Sequence, residues 1–221
     1  MNNGFRVDER TVEIPSGAVT LTAILGLPVG ARGAVLFAHG SGSGRLSPRN
    51  NAVARVLQDA GLVTLLADLL TESEAQDRRL VFDIGLLADR LLDCTHWVQQ
   101  QEATQSLPIG YFGASTGGGA ALVAAARARE PIWAVVSRGG RPDLAGEYLS
   151  RVRSPTLLIV GGNDEPVIEL NRRSQAQLRC VKELVIVPGA THLFEESGTL
   201  EDVARLARDW FVRHLSQGTS G

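Results

Sequence analysis

The stretch Ile109-Gly110-Tyr111-Phe112-Gly113-Ala114-Ser115-Thr116-Gly117 joins a short apolar run to a segment of mostly small residues at positions 118–126. The apolar run is typical of a buried strand, and the small residues after it are typical of a closely packed helix. A G-x-S-x-G pattern at such a junction indicates a sharp turn that pushes the serine side chain out of the backbone. The pentapeptide Gly113–Gly117 alone is equally consistent with a structural turn, so its context in the chain has to decide.

Apolar runs alternate with helical periodicity along the whole chain. Thr11–Ile14 and Val19–Leu25 predict a leading hairpin with Pro15–Gly17 as its turn. Further strands are predicted at Ala34–Ala38, Val63–Ala67, Ile109–Phe112, Ala134–Ser137, Thr156–Val160 and Leu184–Val187. Helical spacing of apolar residues predicts helices at Asn50–Ala60, Asp83–Gln101, Thr116–Arg129, Val167–Leu178 and Thr199–Leu215.

The predicted inner strands are continuously apolar rather than alternating, which indicates burial on both faces, as in a parallel sheet. Because strands and helices also alternate in order, we predict an α/β fold with a mostly parallel central sheet flanked by helices on both faces. The sequence contains no linker, no repeat and no long insertion that could form a cap domain. Residues 1–221 are therefore predicted to form a single domain.

Composition excludes several classes of function. The chain is 44% apolar and 21% charged, and its formal net charge of −2 offers no basic surface for nucleic acid or a membrane. The N-terminal residues Met1 to Asp8 lack the apolar core of a signal peptide, and no stretch is long enough to span a membrane. The only cysteines, Cys94 and Cys180, predict no disulfide framework, and no His/Cys cluster has metal-ligand spacing. We expect a cytoplasmic protein without a metal or a cofactor.

Three residues that can carry chemistry each follow a predicted strand. Ser115 comes first, and Asp164 and His192 follow the last two predicted strands. Because the carboxyl ends of parallel strands lie at one edge of a sheet, the three side chains are expected to meet there. A serine hydroxyl needs a base to act as a nucleophile at neutral pH, so His192 is predicted to accept its proton. Asp164 is predicted to orient the imidazole and to stabilise its cationic form.

An oxyanion formed by attack of the serine needs preorganised hydrogen-bond donors. The backbone N–H of Thr116, at the start of a predicted helix, is one candidate. The second is the backbone N–H of Ser41, in the glycine-rich segment His39–Gly44 that follows the strand Ala34–Ala38. His39 itself is expected to orient this segment by hydrogen bonding rather than to take part in the reaction.

The order Ser, Asp, His and four short motifs resemble the α/β-hydrolase superfamily. The motifs are His39-Gly40, Gly113–Gly117, Gly161–Asp164 and Pro188–His192. The small layout without a cap is similar to the dienelactone hydrolase-like branch, and the resemblance covers nearly the whole chain. It implies the α/β-hydrolase fold and a hydrolase of small ester-like substrates. Dienelactone hydrolases proper use a cysteine nucleophile, and the serine at position 115 therefore favours a serine hydrolase and argues against dienelactone as the substrate.

Three longer stretches, 39–50, 137–143 and 188–196, resemble a bacterial subgroup that is sometimes fused to phosphoribosyltransferase domains. Within the 221 residues we predict the hydrolase domain alone.

Four arginines stand near the predicted site, and two interpretations of them are open from the sequence. They are Arg45, Arg49, Arg138 and Arg141. In the first interpretation they bind loop carbonyls or pair with nearby acids such as Asp68 and Asp143. In the second, some of them bind a carboxylate or phosphate of the substrate, with Arg45 and Arg138 as the first candidates.

The acid of the triad also has alternatives. Glu165 is adjacent to Asp164, and Asp143 follows the strand Ala134–Ser137. The resemblance to the α/β-hydrolase superfamily implies that an acid after this preceding strand is also tolerated. Asp164 fits best because it comes directly after its strand.

The constellation predicts a serine hydrolase that cleaves a carboxylic ester, lactone or thioester through an acyl-enzyme. The alternatives are acyl transfer or peptide hydrolysis by the same triad, and a binding protein of the same fold without catalysis. A small-molecule partner is expected, with no nucleic acid or membrane, in a monomer or a homodimer.

Overall fold

A central eight-stranded sheet organises the protein in the computed structural model, which describes residues 7–215. The strands are β1 (Val7–Ser16), β2 (Val19–Pro28), β3 (Gly33–Ala38), β4 (Leu62–Ala67), β5 (Ile109–Ala114), β6 (Val135–Arg138), β7 (Thr156–Gly161) and β8 (Lys182–Val187). They lie in the order β1-β2-β4-β3-β5-β6-β7-β8. The pairs β1–β2 and β2–β4 are antiparallel and the other five are parallel, which confirms the predicted mostly parallel sheet.

Helices cover both faces of the sheet, as the sequence predicts. They are α1 (Pro48–Asp59), α2 (Arg78–Val81), α3 (Ile84–Gln100), α4 (Thr116–Arg127), α5 (Glu165–Gln177) and α6 (Thr199–Leu215). One apolar cluster joins the sheet to α3 and α4, and a second joins its other face to α1 and α6. Neighbouring residues of β5 illustrate the two layers, since Tyr111 belongs to the first cluster and Phe112 to the second.

The inner strands are buried along their whole length, and the edge strand β8 is not. Strands β3 to β7 contain only buried residues, as their continuous apolarity predicts. In β8, by contrast, Lys182, Glu183 and Ile186 are exposed, because within residues 7–215 only β7 lies beside it.

The leading hairpin turns two residues later than predicted. Strand β1 continues through Pro15, and Ser16 pairs with Val19, so the turn consists of Gly17 and Ala18. Gly17 has a φ of +57°, a conformation that glycine adopts without strain. The sequence prediction of a Pro15–Gly17 turn is therefore wrong. Pro15 is tolerated because β1 is an edge strand, where a missing N–H has no neighbouring strand to bond.

The connection from β4 to α3 contains helical structure that the periodicity did not predict. It forms a 3-10 turn at Glu74–Gln76 and the short helix α2, and no separate cap domain lies within residues 7–215. Arg90 on α3 holds this segment, donating to the carbonyl of Leu69 at 3.0 Å and to both carboxylate oxygens of Glu74 at 2.7 Å. A second unpredicted 3-10 segment, Pro142–Arg151, follows β6.

Candidate active site

Ser115 occupies a strained turn between β5 and α4. Its φ of +52° and ψ of −124° are unfavourable for a residue with a side chain, and such strain is concentrated at functional sites. Two backbone hydrogen bonds tie the turn to the end of β6: Ser115 N–H donates to Arg138 O at 3.2 Å, and Arg141 N–H donates to Ser115 O at 3.0 Å. The serine is thus fixed to the neighbouring strand rather than placed on a free loop.

The glycines around Ser115 are required by close backbone approach. A Cβ at Gly117 would lie 2.0 Å from the carbonyl oxygen of Ala38, and a Cβ at Gly113 would lie 2.4 Å from that of Gly117. Gly40 is restricted in the same way, because a Cβ at this position would lie 2.7 Å from Ser115 Cβ. The spacing of the G-x-S-x-G pattern therefore allows the end of β3, the turn and α4 to pack together.

His192 and Asp164 form a hydrogen-bonded pair. The Nδ1 atom of His192 lies 2.7 Å from Asp164 Oδ2, the contact that would hold Nδ1 protonated and leave Nε2 to accept a proton. Asn163 joins their two loops, since its side chain donates to Gly189 O at 2.9 Å and its N–H donates to Ala190 O at 2.9 Å. This role of Asn163 is not predicted from the sequence, where only its position beside Asp164 could have suggested it.

Ser115 and His192 line the same cavity of about 200 Å³, at the carboxyl ends of the parallel strands. The structure thus brings together the three residues proposed from the sequence. Among residues 7–215, Ser115 Oγ makes no hydrogen bond with the imidazole. Catalytic hydrogen bonds are often longer without substrate and tighten when it binds.

The two predicted oxyanion donors both border this site. Ser41 lines the cavity, and Thr116 is the first residue of α4, directly after Ser115. Neither backbone N–H has a hydrogen-bond acceptor within the described part of the chain.

His39 anchors the glycine-rich segment, as expected. Its Nε2 accepts from the N–H of Leu69 at 2.9 Å, so Nδ1 carries the proton and donates to Gly40 O at 3.0 Å. Burial lowers the pKa of His39 below its usual value of 6.5, which keeps the ring neutral. A neutral imidazole with both nitrogens bonded orients the backbone near Ser41 and is not free for proton transfer.

The alternative acids lie in other environments. Asp143 accepts two hydrogen bonds from the guanidinium of Arg141, at 2.8 and 2.7 Å. Glu165 is exposed in the first turn of α5. Within the described residues, only Asp164 of these three carboxylates bonds to His192.

Three of the four arginines are paired with acids. Arg45 binds Asp68 through its guanidinium and its backbone N–H, so this candidate does not present a free guanidinium to the substrate. Arg141 is bound to Asp143, and Arg49 lies 3.1 Å from the exposed carboxylate of Glu195. These contacts match the structural interpretation of Arg45 and Arg141.

Arg138 differs from the other three because it is buried in the cavity wall. It donates to Asn50 Oδ1 at 3.4 Å, and its guanidinium carbon lies 5.9 Å from the ring centre of Phe194. Burial, together with the like charge of Arg49, lowers the pKa of Arg138 to about 10, so it remains cationic at neutral pH. No sequence pattern marks Asn50 or Phe194, because their contacts with Arg138 arise only in the fold.

A second cavity of about 360 Å³ adjoins the first. The two share residues of the glycine-rich segment and the start of α1: Gly40, Ser41, Ser43, Ser47 and Arg49. The far wall of the second cavity is apolar and includes Leu70, Val81 and Leu87. Mostly polar residues therefore line the cavity at Ser115, and apolar side chains form part of the lining of the neighbouring cavity.

No group of three or more His, Cys, Asp or Glu residues within positions 7–215 is placed to hold a metal ion. Over the same residues, no helix combines the length and the apolar character needed to cross a bilayer.

Comparison with known proteins gives three independent likenesses. The model of the dienelactone hydrolase family matches residues 21–215. A crystal structure of a dienelactone hydrolase from Anabaena variabilis is 57% identical, with a TM-score of 0.91, over 94% of this chain and 98% of that one. A serine hydrolase without a lid from Xanthomonas campestris, at 22% identity, shares the fold with a TM-score of 0.75 over 96% of this chain and 97% of that one.

A longer relative is known from two strains of Mycobacterium tuberculosis, where it carries the provisional name phosphoribosyl transferase. It is 59% identical over 214 residues, which are 96% of this chain and 48% of the relative. The chain therefore spans about half the length of these relatives.

Proposed function

This chain belongs to the dienelactone hydrolase family, and on that premise we propose that it is a serine hydrolase that cleaves a carboxylic ester, lactone or thioester. The observation that carries the proposal is the hydrogen bond between His192 and Asp164 at the rim of the cavity that also exposes Ser115. A nucleophile on a strained turn, a base and an orienting acid are the parts that acyl transfer through serine requires.

The first half-reaction forms the acyl-enzyme. Ser115 Oγ attacks the carbonyl carbon while its proton passes to His192 Nε2, and the N–H groups of Ser41 and Thr116 stabilise the oxyanion. Collapse of this tetrahedral intermediate breaks the bond to the leaving oxygen or sulfur, which takes the proton from His192.

The second half-reaction releases the acid. A water molecule gives a proton to His192 and adds to the acyl carbon. The bond to Ser115 Oγ then breaks, and the serine recovers its proton from His192. Asp164 keeps its charge throughout and stabilises the imidazolium at each step.

The name of the longer relative suggests a different activity. We assign the hydrolase to the segment that matches this chain and infer that a phosphoribosyl transferase activity belongs to the unmatched half of that relative. The proposed partner is a small ester-like molecule. Cytoplasmic location and a monomeric or homodimeric state remain predictions.

The nucleophile is tested by Ser115→Ala. We expect kcat/KM for p-nitrophenyl acetate to fall by about 10⁶-fold, as for nucleophile removal in other serine hydrolases. A fluorophosphonate should label the unaltered protein at Ser115 and leave the variant unlabelled. A variant with undiminished activity contradicts the proposal, and lack of labelling in the folded protein favours a binding protein without catalysis.

The class of reaction is tested by product analysis. With an added alcohol or amine present, a hydrolase yields chiefly the free acid, whereas an acyltransferase yields chiefly the new ester or amide. Release of acid from a peptide but not from an ester would indicate a peptidase.

A further inference from the structure

Arg138 is a buried cation without a buried anion. Only 8% of its surface is exposed, and its Nε atom has no hydrogen-bond acceptor in the described part of the chain. Within residues 7–215 no carboxylate makes an ion pair with it, and its one hydrogen bond, to Asn50 Oδ1, is long at 3.4 Å. Removing a cation from water costs free energy that proteins usually recover by pairing the charge.

Arg90 provides a comparison within the same protein. Its side chain is 7% exposed, close to the burial of Arg138, and both of its terminal nitrogens bond to Glu74 at 2.7 Å. The fold thus supplies a carboxylate to a buried arginine with a structural role. Arg138 instead borders the Ser115 cavity with its Nε unsatisfied, which indicates that its anion arrives with a ligand.

Other donors surround the same space. Arg49 lines the cavity from the first turn of α1, and its contact with Glu195 is exposed, so a ligand can share or replace it. Ser41, Ser43 and Ser47 also line the cavity, and Ser47 caps α1, whose N-terminal end favours negative charge. Two cations, three serines and a helix N-terminus suit a dianion with several oxygens better than a single carboxylate.

We propose that Arg138 and Arg49 form a subsite for a phosphate monoester group carried by the substrate. This inference rests on the proposed hydrolase function and specifies its substrate class. Arg138 pairs in register with Ala114, the residue before the nucleophile, so the phosphate lies close to the reacting carbonyl. The substrate is therefore a small ester whose phosphate is only a few bonds from the carbonyl carbon. Its remaining part extends toward the apolar wall of the second cavity.

Matched esters test the substrate class. The probes are 2-acetoxyethyl phosphate, its dimethyl phosphate ester as the neutral analogue, and 3-acetoxypropanoate as the carboxylate analogue, with acetate release followed by titration. We expect kcat/KM for the phosphate to exceed that of the neutral analogue by about 10- to 100-fold, the effect of one or two charge-assisted hydrogen bonds. Equal rates for the phosphate and its neutral analogue would contradict the subsite. A preference for 3-acetoxypropanoate would show that the subsite binds a carboxylate and not a phosphate.

Substitution assigns the preference to residues. In Arg138→Gln the ratio of kcat/KM between the phosphate and the neutral ester should fall by about 10-fold or more. Arg49→Gln should lower the same ratio independently, which keeps the test valid if Arg138→Gln does not fold. Arg173→Gln removes one positive charge from the exposed face of α5 and should leave the ratio unchanged. A ratio that Arg138→Gln and Arg49→Gln do not alter contradicts the proposal.

Binding of inorganic phosphate separates this inference from the hydrolase proposal. Calorimetry on the Ser115→Ala protein should detect phosphate binding that Arg138→Gln weakens about 10-fold or more, in a background of constant ionic strength. If Ser115→Ala stays active but phosphate binds as expected, the hydrolase mechanism is wrong and the anion site stands. If hydrolysis depends on Ser115 but phosphate does not bind, the subsite is wrong and the hydrolase stands.

Discussion

At the scale of single residues, the chemistry of the site depends on which charged groups are already paired. Asp68 and Asp143 pair with Arg45 and Arg141, whereas Arg138 in the cavity wall pairs with no acid among residues 7–215. The carboxylate of Asp164 is hydrogen-bonded to His192. Arginine and aspartate residues of this site therefore have different roles, and the group that each one contacts determines its role.

Asp164→Asn tests the acid of the triad. An amide oxygen cannot carry the negative charge that stabilises the imidazolium, so we expect kcat/KM for p-nitrophenyl acetate to fall by about 10⁴-fold. Asp143→Asn and Glu165→Gln are the matched controls and should change the rate by only a few-fold. Greater loss in Asp143→Asn than in Asp164→Asn would transfer the role of the acid to Asp143.

At the scale of elements, the segment between β4 and α3 is held by an ion pair between the buried Arg90 and the partly buried Glu74. Arg90 on α3 bonds to Glu74 and to the carbonyl of Leu69, which fixes the 3-10 turn next to the second cavity. Leu70, Ala75 and Val81 of this segment line that cavity. The pair therefore connects the stability of a surface segment with the shape of the proposed substrate site.

The pH dependence of stability tests this pair. Hydrogen bonds from Arg90 lower the pKa of Glu74 from its usual 4.5 to about 2. A carboxylate with a lowered pKa stabilises the folded state fully above about pH 4.5, and the stabilisation is lost as the pH falls toward 2.

We therefore expect Glu74→Gln to reduce the free energy of unfolding by about 1–3 kcal/mol at pH 7, and the difference from the unaltered protein to shrink between pH 4.5 and 2. Urea titrations of both proteins at several pH values measure this difference in the free energy of unfolding. Glu72→Gln, two residues away and exposed, should show a small difference that does not vary with pH in this way. If the difference in unfolding free energy caused by Glu74→Gln stayed constant down to pH 2, the proposed stabilisation by the Arg90–Glu74 pair would be wrong.

At the scale of the whole molecule, the sheet separates two apolar layers, and α6 completes one of them. Phe211 on α6 is fully buried, and its ring lies 5.5 Å from that of Trp133 in an edge-on arrangement. It also packs against β5, where a Cβ at Gly110 would lie 2.9 Å from the Phe211 ring. The C-terminal helix is thus joined to the strand that leads to Ser115.

Phe211→Ala should lower the free energy of unfolding by about 3–5 kcal/mol, because it removes a large buried ring and leaves a cavity beside β5. Urea denaturation measures the effect. Arg208→Ala, at a half-exposed position of the same helix, removes a pair with Asp209 and should change stability by less than about 1 kcal/mol. Equal effects of the two substitutions would show that α6 is not part of the cooperative core.

The sequence by itself determined the parallel sheet, the order of its elements and the strand ends at which Ser115, Asp164 and His192 stand. These follow from local patterns, since apolar runs, helical periodicity and glycine spacing act between residues close in the chain. It did not reveal the late turn at Gly17, the edge exposure of β8 or the 3-10 segments, which depend on pairing and packing with distant parts of the fold.

Only the tertiary structure decided which acid contacts His192 and which of the four arginines near the site has no acid partner among residues 7–215. Asp164 reaches His192 because the loops after β7 and β8 are bonded side by side, and Arg138 is buried because α1 and the loop carrying Phe194 close over the end of β6. Charges pair through space, so residues far apart in the chain determine the free energy of each charged group.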